Sequence, residues 1–504
     1  MIPDSSEPAA HRHGLPSSST GTMIAGGHAA ASAAAQQERT AKMAAAAEPE
    51  PEPEAPQSAD DLDDDRTILD ICMDFEDAAE ADASDDADDE SSAALLALVK
   101  EAGTLLRKTE EEEDREMFVN EDGLQHTLAA IGRHLEDPAW AQAGWVLVRW
   151  TCVDQPPHRK LVAEEGGLEV LAMTWAKYEA DVPMLSVLLG CVNQLCTKDE
   201  RNKTMLNGMG VSASVMAALA TFGEGDDVFC AALLETLTWM MRADDKSQEK
   251  HYRDAMIEAL WEHADILNVL IELLEAGRVE SVLNNALRVF KMVTDSEKGA
   301  EEAADNGVVD LVLDFLKDGR FDQHTVLSSS CVLLKNLAMH NDGAKESMLI
   351  ELADELLLGL LKTHTAHAKV MESTMDLLLS IMFRDESTAV KLVEKGLINA
   401  ICSGLTAHPT EKLLFRSSCM MLRELCRVED NERIVKEAGV EKLMVAGMKT
   451  FAQAGGVGTE RGYKDGIPFQ EFGRDVLRDC HSEFYVLGTH SMGVSLLDLD
   501  KGHV

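Results

Sequence analysis

The strongest constraint in this chain is a long-period repeat. Seven times, two apolar positions three residues apart close a helix-forming stretch: Leu147 and Trp150, Val192 and Leu195, Leu237 and Met240, Phe290 and Val293, Leu334 and Leu337, Leu378 and Ile381, Leu422 and Leu425. The second members follow one another at 45, 45, 53, 44, 44 and 44 residues. Residues three apart share one face of a helix, so each pair reads as part of a buried stripe. A second register runs in phase with the first. A glycine followed by an apolar residue stands at Gly123, Gly167, Gly210, Gly307, Gly396 and Gly439, and the slot persists without glycine near Ala264 and Ala353. Glycine there is read as a left-handed residue that ends one helix and lets the next begin at a steep angle.

A short helix, a glycine break and two longer helices in roughly 44 residues is the pattern of armadillo and HEAT units. The expected fold is therefore all-α: an armadillo/HEAT-like, right-handed superhelical solenoid of about eight repeats. Composition agrees, with apolar residues at 45% and aromatics at only 5%, a mix that favours helix over sheet. Each unit leaves apolar faces that only its neighbours cover, so stability is shared along the array. We assign residues 1–91 to a disordered acidic low-complexity arm, 92–450 to the repeats, 451–468 to a Gly-rich linker, 469–487 to a closing helix and 488–504 to a flexible tail. One unit is long by about nine residues; the excess, residues 242–253, is polar and reads as an exposed loop or helix extension. Within the arm, Ile68, Ile71, Cys72 and Phe75 share one helical face. They read either as a helix docked on the first repeat or as a motif for a partner's groove.

The formal net charge is −44, of which residues 1–90 carry −19. Such a chain repels phosphate backbones and anionic lipid, so neither nucleic acid nor membrane is expected as a partner. Other proteins are, basic peptides or segments among them. No apolar run approaches the ~18 residues of a membrane span, and the N-terminus lacks a secretory apolar core. Ten cysteines are scattered without a CxxC pair, which points to free buried thiols and a cytoplasmic or nuclear setting.

Four stretches carry a closer resemblance. They are residues 158–167 running into Thr174, Trp175 and Lys177; the long third unit, with Asp244, Asp245 and His251 ahead of Met256 and Ile257; residues 419–425; and residues 477–481. In these the chain resembles the armadillo-repeat-containing protein six family, within the armadillo superfamily. The resemblance implies protein–protein interaction in the cytoplasm or nucleus and supplies no catalytic residues.

In armadillo folds the third helices line a groove, and one polar slot on them often holds Asn. That slot reads Arg149, Gln194, Trp239, Met292, Asn336, Ser380 and Glu424. Four residues earlier stand Trp145, Gly190, Glu235, Arg288, Val332, Asp376 and Met420. A nuclear-import adaptor needs a Trp and Asn ladder here, Trp faces for lysine stems and Asn for the peptide backbone. This chain lacks it, which disfavours that role. The candidate contact residues are Arg149, Gln194, Trp239 and Asn336, with Trp and Arg favoured as interface anchors. Core packing is the competing reading for Trp145, Trp150 and Trp239, and backbone capping for Asn336.

No phosphate-binding loop, HExxH or nucleophile elbow occurs. The glycines from Gly455 to Gly458 follow no strand and read as linker. His364 and His367 lack a carboxylate or thiolate cluster for a metal, and the acidic runs lack calcium-loop spacing. The chain is thus read as a non-catalytic scaffold or adaptor without cofactor or metal. A co-chaperone of the nucleotide-exchange class is the alternative.

Overall fold

Aspartate caps open three of the long helices, two of them with proline in the first turn. Asp137 caps Pro138–Thr151 by accepting from Ala139 N at 2.8 Å, and Asp181 caps Val182–Cys196 by accepting from Met184 N at 3.0 Å. Asp226 caps Asp227–Met241 through Val228 N at 2.8 Å. Each carboxylate satisfies an amide that the helix itself leaves orphaned. In the computed structural model the described residues are 67–84, 89–109, 112–242, 257, 266–277, 279–318, 323–350, 353–383, 385–454 and 469–480. All of them fall in the unit that begins at Thr67. Among them every regular element is a helix.

Two helices come first, α1 (Ile68–Asp82) and α2 (Asp89–Lys108). Sets of a short, a medium and a long helix follow. They are α3 (Glu112–Asn120), α4 (Gly123–Arg133) and α5 (Pro138–Thr151); α6 (Pro156–Glu164), α7 (Gly167–Lys177) and α8 (Val182–Cys196); then α9 (Glu200–Gly208), α10 (Val211–Phe222) and α11 (Asp227–Met241). Next come α12 (Ile266–Glu275) and α13 (Glu280–Val293), with only Ile257 described between Arg242 and Ile266. The pattern resumes with α14 (Glu297–Asp305), α15 (Val308–Asp318) and α16 (His324–His340), and with α17 (Asp342–Ile350), α18 (Ala353–Thr363) and α19 (Ala368–Met382). It ends with α20 (Glu386–Glu394), α21 (Leu397–Ala407) and α22 (Lys412–Leu425), and with α23 (Glu429–Glu437), α24 (Val440–Ala454) and α25 (Phe469–Asp479).

The long helices α2, α5, α8, α11, α13, α16, α19, α22 and α25 pack side by side in chain order. Their stripe residues Leu147, Val192, Leu237, Phe290, Leu334, Leu378 and Leu422 are all buried, in one apolar cluster that runs from Ile68 to Cys480.

A set of buried polar side chains ties the long helices together at their C-terminal ends. His158 Nδ1 hydrogen-bonds Thr151 O at 2.9 Å, and Arg159 Nε donates to Cys152 O at 3.2 Å. These residues reach back to the end of α5, while Arg159 Nη1 reaches forward to Thr197 O at the end of α8. The device recurs one set later. Asn202 Nδ2 donates to Leu195 O at 3.1 Å, and Lys203 Nζ donates to Arg242 O at the end of α11. Lys345 Nζ, on α17, donates to Phe383 O at 3.2 Å. These three short helices thus place donors on carbonyls left open where a long helix stops, at the negative end of its dipole.

Helix α1 and the start of α2 lie inside the stretch assigned to the arm, so the packed part of the chain begins at Thr67 rather than at residue 92. The reason is local and tertiary together. Thr67 and Asp70 form a capping box. Ile68, Ile71, Cys72 and Phe75 are buried, with Phe75 edge-on to Phe118 at 5.5 Å. Of the two readings of this helix, docking on the chain's own repeats is the one observed. The Asp82 carboxylate, fully enclosed, accepts from Arg133 Nη2 at 2.7 Å and meets His134 Nε2 at 2.8 Å. Asp82→Ala is expected to destabilise α1 by about 2 kcal/mol, less than a dry ion pair, because Arg133 and His134 keep partial solvent access. Hydrogen exchange in α1 measures it.

The glycine register also needs correction. Left-handed φ falls on Gly210, Gly307, Gly396 and Gly439 as expected, but in the first two sets it falls one residue early, on Asp122 (56°) and Gly166 (74°). Gly123 and Gly167 open their helices for want of space instead. A Cβ on Gly167 would sit 2.6 Å from Val162 Cγ1 and 2.8 Å from Val162 O. Gly166→Ala is expected to cost about 1–2 kcal/mol of backbone strain. Gly167→Val, pressed against backbone, is expected to cost more, about 3 kcal/mol. Equal losses in chemical denaturation would contradict this assignment.

At the other end, α24 runs to Ala454 and the closing helix α25 is described as Phe469–Asp479; residues 481–487 of the expected closing helix lie outside the described residues. The rest of the linker, the tail beyond Cys480 and most of the polar stretch 242–253 lie outside the described residues. Cys426 Sγ and Cys480 Sγ stand 2.9 Å apart, joining α22 to the end of α25. Cys426 is half-exposed. Oxidised glutathione is expected to link these two cysteines, and peptide mapping without reductant detects the bridge.

Candidate functional site

The row of long helices leaves one face uncovered by the shorter helices, and the four candidate residues sit along it in different ways. Arg149, on α5, lies across the next helix: its Cζ is 5.4 Å from the Trp150 ring centroid, and a Cβ on Gly190 of α8 would stand 2.7 Å from Nη1. Gly190 leaves the space that the guanidinium crosses. Arg149 Nε is buried without a hydrogen-bond partner. Burial pushes the neighbouring Cys191 thiol well above its ordinary range, with Arg149 pulling the other way. Gln194 is half-buried on α8. Trp239, on α11, is half-buried as well; its Nε1 donates to Glu235 Oε1 at 3.4 Å, and Arg242 Cζ lies 5.5 Å from its ring.

Asn336 is different. It is 6% exposed, and its Nδ2 donates to Lys291 O on the neighbouring helix at 3.1 Å. It fixes α16 against α13 and offers little to a ligand, so as a contact residue it is set aside. Trp145 is wholly buried, with Nε1 on Thr174 Oγ1 at 3.1 Å.

The open face carries residues the slot pattern missed. Met339 on α16 is 64% exposed and Phe383, at the end of α19, 47%. Val228, Val279 and Leu413 are exposed too, at the N-terminal ends of α11, α13 and α22, a helix length from those two. Met339 and Phe383 each stand three residues after the slot, one turn onward, where Arg242 and Arg427 stand in other sets. That register was present in the repeat alignment and marks the same side of the helix.

Two hollows open on this face. One of about 490 Å³ has an apolar floor of Leu379, Phe383 and Met420, and a rim of Arg423, Arg427, Arg478, Glu424 and Asp479. The rim is ion-paired: Arg423 meets Asp475 at 3.1 Å and Asp479 at 2.9 Å, and Arg478 meets Asp475 at 2.9 Å. Burial of the Asp479 carboxylate is outweighed by hydrogen bonds from Arg478 and Arg423, which hold its pKa below the usual carboxylate value. The other hollow, about 310 Å³, lies between α2 and α5 and includes Val99, Gly103, Arg107, Gln142 and Val146.

His364 and His367 do not share a helix face; they flank the turn between α18 and α19, and His367 stacks on His324 at 4.7 Å. Among the described residues no group of three His, Cys, Asp or Glu is placed to hold a metal ion. Among the same residues no single helix is long and apolar enough to cross a membrane.

No protein-family model and no curated protein matches the chain. Solved structures do: 169 chains match. A crystal structure of an engineered protein aligns with a TM-score of 0.53 at 14% identity, over 81% of this chain and 99% of its own. A second engineered protein aligns over 52% of this chain and 96% of its own, with a TM-score of 0.42 and 14% identity. At such identity the first likeness speaks for the helical fold alone.

Proposed function

We propose that this chain is a non-catalytic scaffold: an armadillo-type array of about eight helical units, preceded by the two-helix unit α1–α2, that holds a segment of another protein along its long-helix face. One observation carries the reading. Among the described residues eight large hydrophobic side chains are exposed, and five of them (Val228, Val279, Met339, Phe383 and Leu413) lie on the long helices or at their ends. Met339 and Phe383, one period apart, close neighbouring helices at the same end, and adjacent apolar exposure of this kind marks an interaction surface, whereas scattered single residues do not. The hollows and the half-buried Trp239 and Arg149 on the same row add the anchoring pockets and residue types such surfaces use.

A photo-crosslinking amino acid placed at Met339 or Phe383 of the full-length chain is the test. It is expected to capture partner protein in cells, whereas the same group at Met173, 55% exposed on α7, captures none of it. Equal capture from all three positions would sink the reading. Trp239→Ala is expected to weaken that capture about tenfold.

A further inference from the structure

The chain holds 90 acidic and 46 basic residues, so a surface cation should find a carboxylate easily. Many do: Lys369 meets Glu372, Lys395 meets Glu355 and Lys436 meets Glu432, all within 3.0 Å. Arg288 and Lys291 on α13 and Lys335 on α16 do not. All three are half-buried, and none has a carboxylate within ion-pair distance among the described residues. Lys291 and Lys335 are 44 residues apart, the repeat distance, and so occupy the same place on adjacent helices. Asn336 locks that register through Lys291 O, and Ser329 Oγ adds a hydrogen bond to Asn284 Oδ1 at 3.1 Å.

We propose that this part of the face receives an acidic segment of a partner protein, its carboxylates seated on Arg288, Lys291 and Lys335. The net charge of the whole chain points to basic partners, and the local charge on these two helices points the other way. The proposal deepens the scaffold reading and rests on it. The cations crowd one another: burial first, then Arg288, Lys369 and Lys335, push the Lys291 pKa down, with Asp295 opposing. A half-buried ammonium among like charges is relieved by an incoming anion. Spacing narrows the occupant. Packed helices lie about 8–10 Å apart, and an extended chain rises about 3.3 Å per residue. An extended segment crossing the row therefore meets successive helices at every third residue. Met339, one turn beyond Lys335 on α16, and Phe383, at the end of the next helix, suit apolar side chains beside the acids. A nucleic acid shares the anionic chemistry but faces the repulsion of a −44 chain.

The probe is a fluorescein-labelled extended peptide with Asp at every third position, read by anisotropy against the full-length chain. Counterparts with Asn or Lys at those positions serve as comparison. The Asp peptide is expected to bind, with its affinity falling as salt rises, and the Asn peptide to bind about tenfold more weakly. Arg288→Gln with Lys335→Gln is expected to weaken the Asp peptide about tenfold. Lys291→Glu is expected to abolish its binding. Lys395→Gln, at the end of the short helix α20 and paired with Glu355, should leave it unchanged. Circular dichroism shows whether each variant keeps its helices, and the neutral double variant serves if Lys291→Glu misfolds. The proposal falls if the Asp peptide binds the double variant as tightly as the parent chain. It falls equally if the Lys peptide binds better, or if a single-stranded oligonucleotide displaces the Asp peptide and binds more tightly. In those cases capture at Met339 and Phe383 but not Met173 would still uphold the scaffold; loss of that selectivity would remove the scaffold itself.

Discussion

Trp145→Ala is expected to destabilise the array by about 3–5 kcal/mol, the loss usual for a large buried aromatic replaced by alanine. Trp145 is fully enclosed on α5. Its indole reaches Thr174 Oγ1 of α7, and Cys191 Sγ of α8 donates to its carbonyl at 3.0 Å. One side chain thus joins two successive sets. Removing it opens a cavity that the neighbouring helices, held by their own contacts, fill only in part. Trp145→Phe keeps most of the ring, and Thr174 Oγ1 retains its hydrogen bond to Val170 O at 2.7 Å. That variant is expected to lose only about 1 kcal/mol. Urea denaturation of both variants checks the ranking. In an array the damage spreads through interfaces, so the loss should also appear as faster hydrogen exchange in α7 and α8. A Trp145→Ala midpoint equal to that of the parent would refute the packing assigned here.

The second large effect is expected at Lys203. Its side chain is entirely buried on α9; Nζ donates to Arg242 O at the end of α11 and lies 3.8 Å from Glu200 Oε1. Lys203→Ala removes the buried stem and leaves the Arg242 carbonyl without this donor, an expected loss of about 2–4 kcal/mol. Lys203→Met keeps the stem and removes the charge. The cost is then about 1–2 kcal/mol, since the ammonium no longer has to be desolvated. The difference between the two separates packing from capping. Thermal unfolding of both, with hydrogen exchange followed in the last turn of α11, is the measurement. If Lys203→Met proves as damaging as Lys203→Ala, the stem contributes nothing and the capping account stands alone.

The candidate site was legible only in outline. The slot pattern points to Arg149, Gln194 and Trp239, because residues one period apart occupy equivalent places on equivalent helices. Asn336 followed the same rule, yet its side chain turns to Lys291 O. The rule gives position on a helix; what the side chain touches depends on the distance to the next helix. Met339 and Phe383 lay in an available register but carried no polar signature to single them out. Arg288, Lys291 and Lys335 were ordinary surface cations in the sequence. That none of them forms an ion pair among the described residues is a property of the packed array.

The sequence by itself determined the helical class, the 44-residue period and the apolar spine, because apolar spacing along a chain is local and survives whatever the chain packs against. Tertiary structure alone decided which of Gly166 and Gly167 is left-handed and which is crowded. It also decided that buried Arg159 and Lys203 cap helices nearly a full period away, and that Cys426 meets Cys480. Those outcomes turn on separations of a few ångströms between helices of different sets. Periodicity places such helices side by side without fixing how closely they approach.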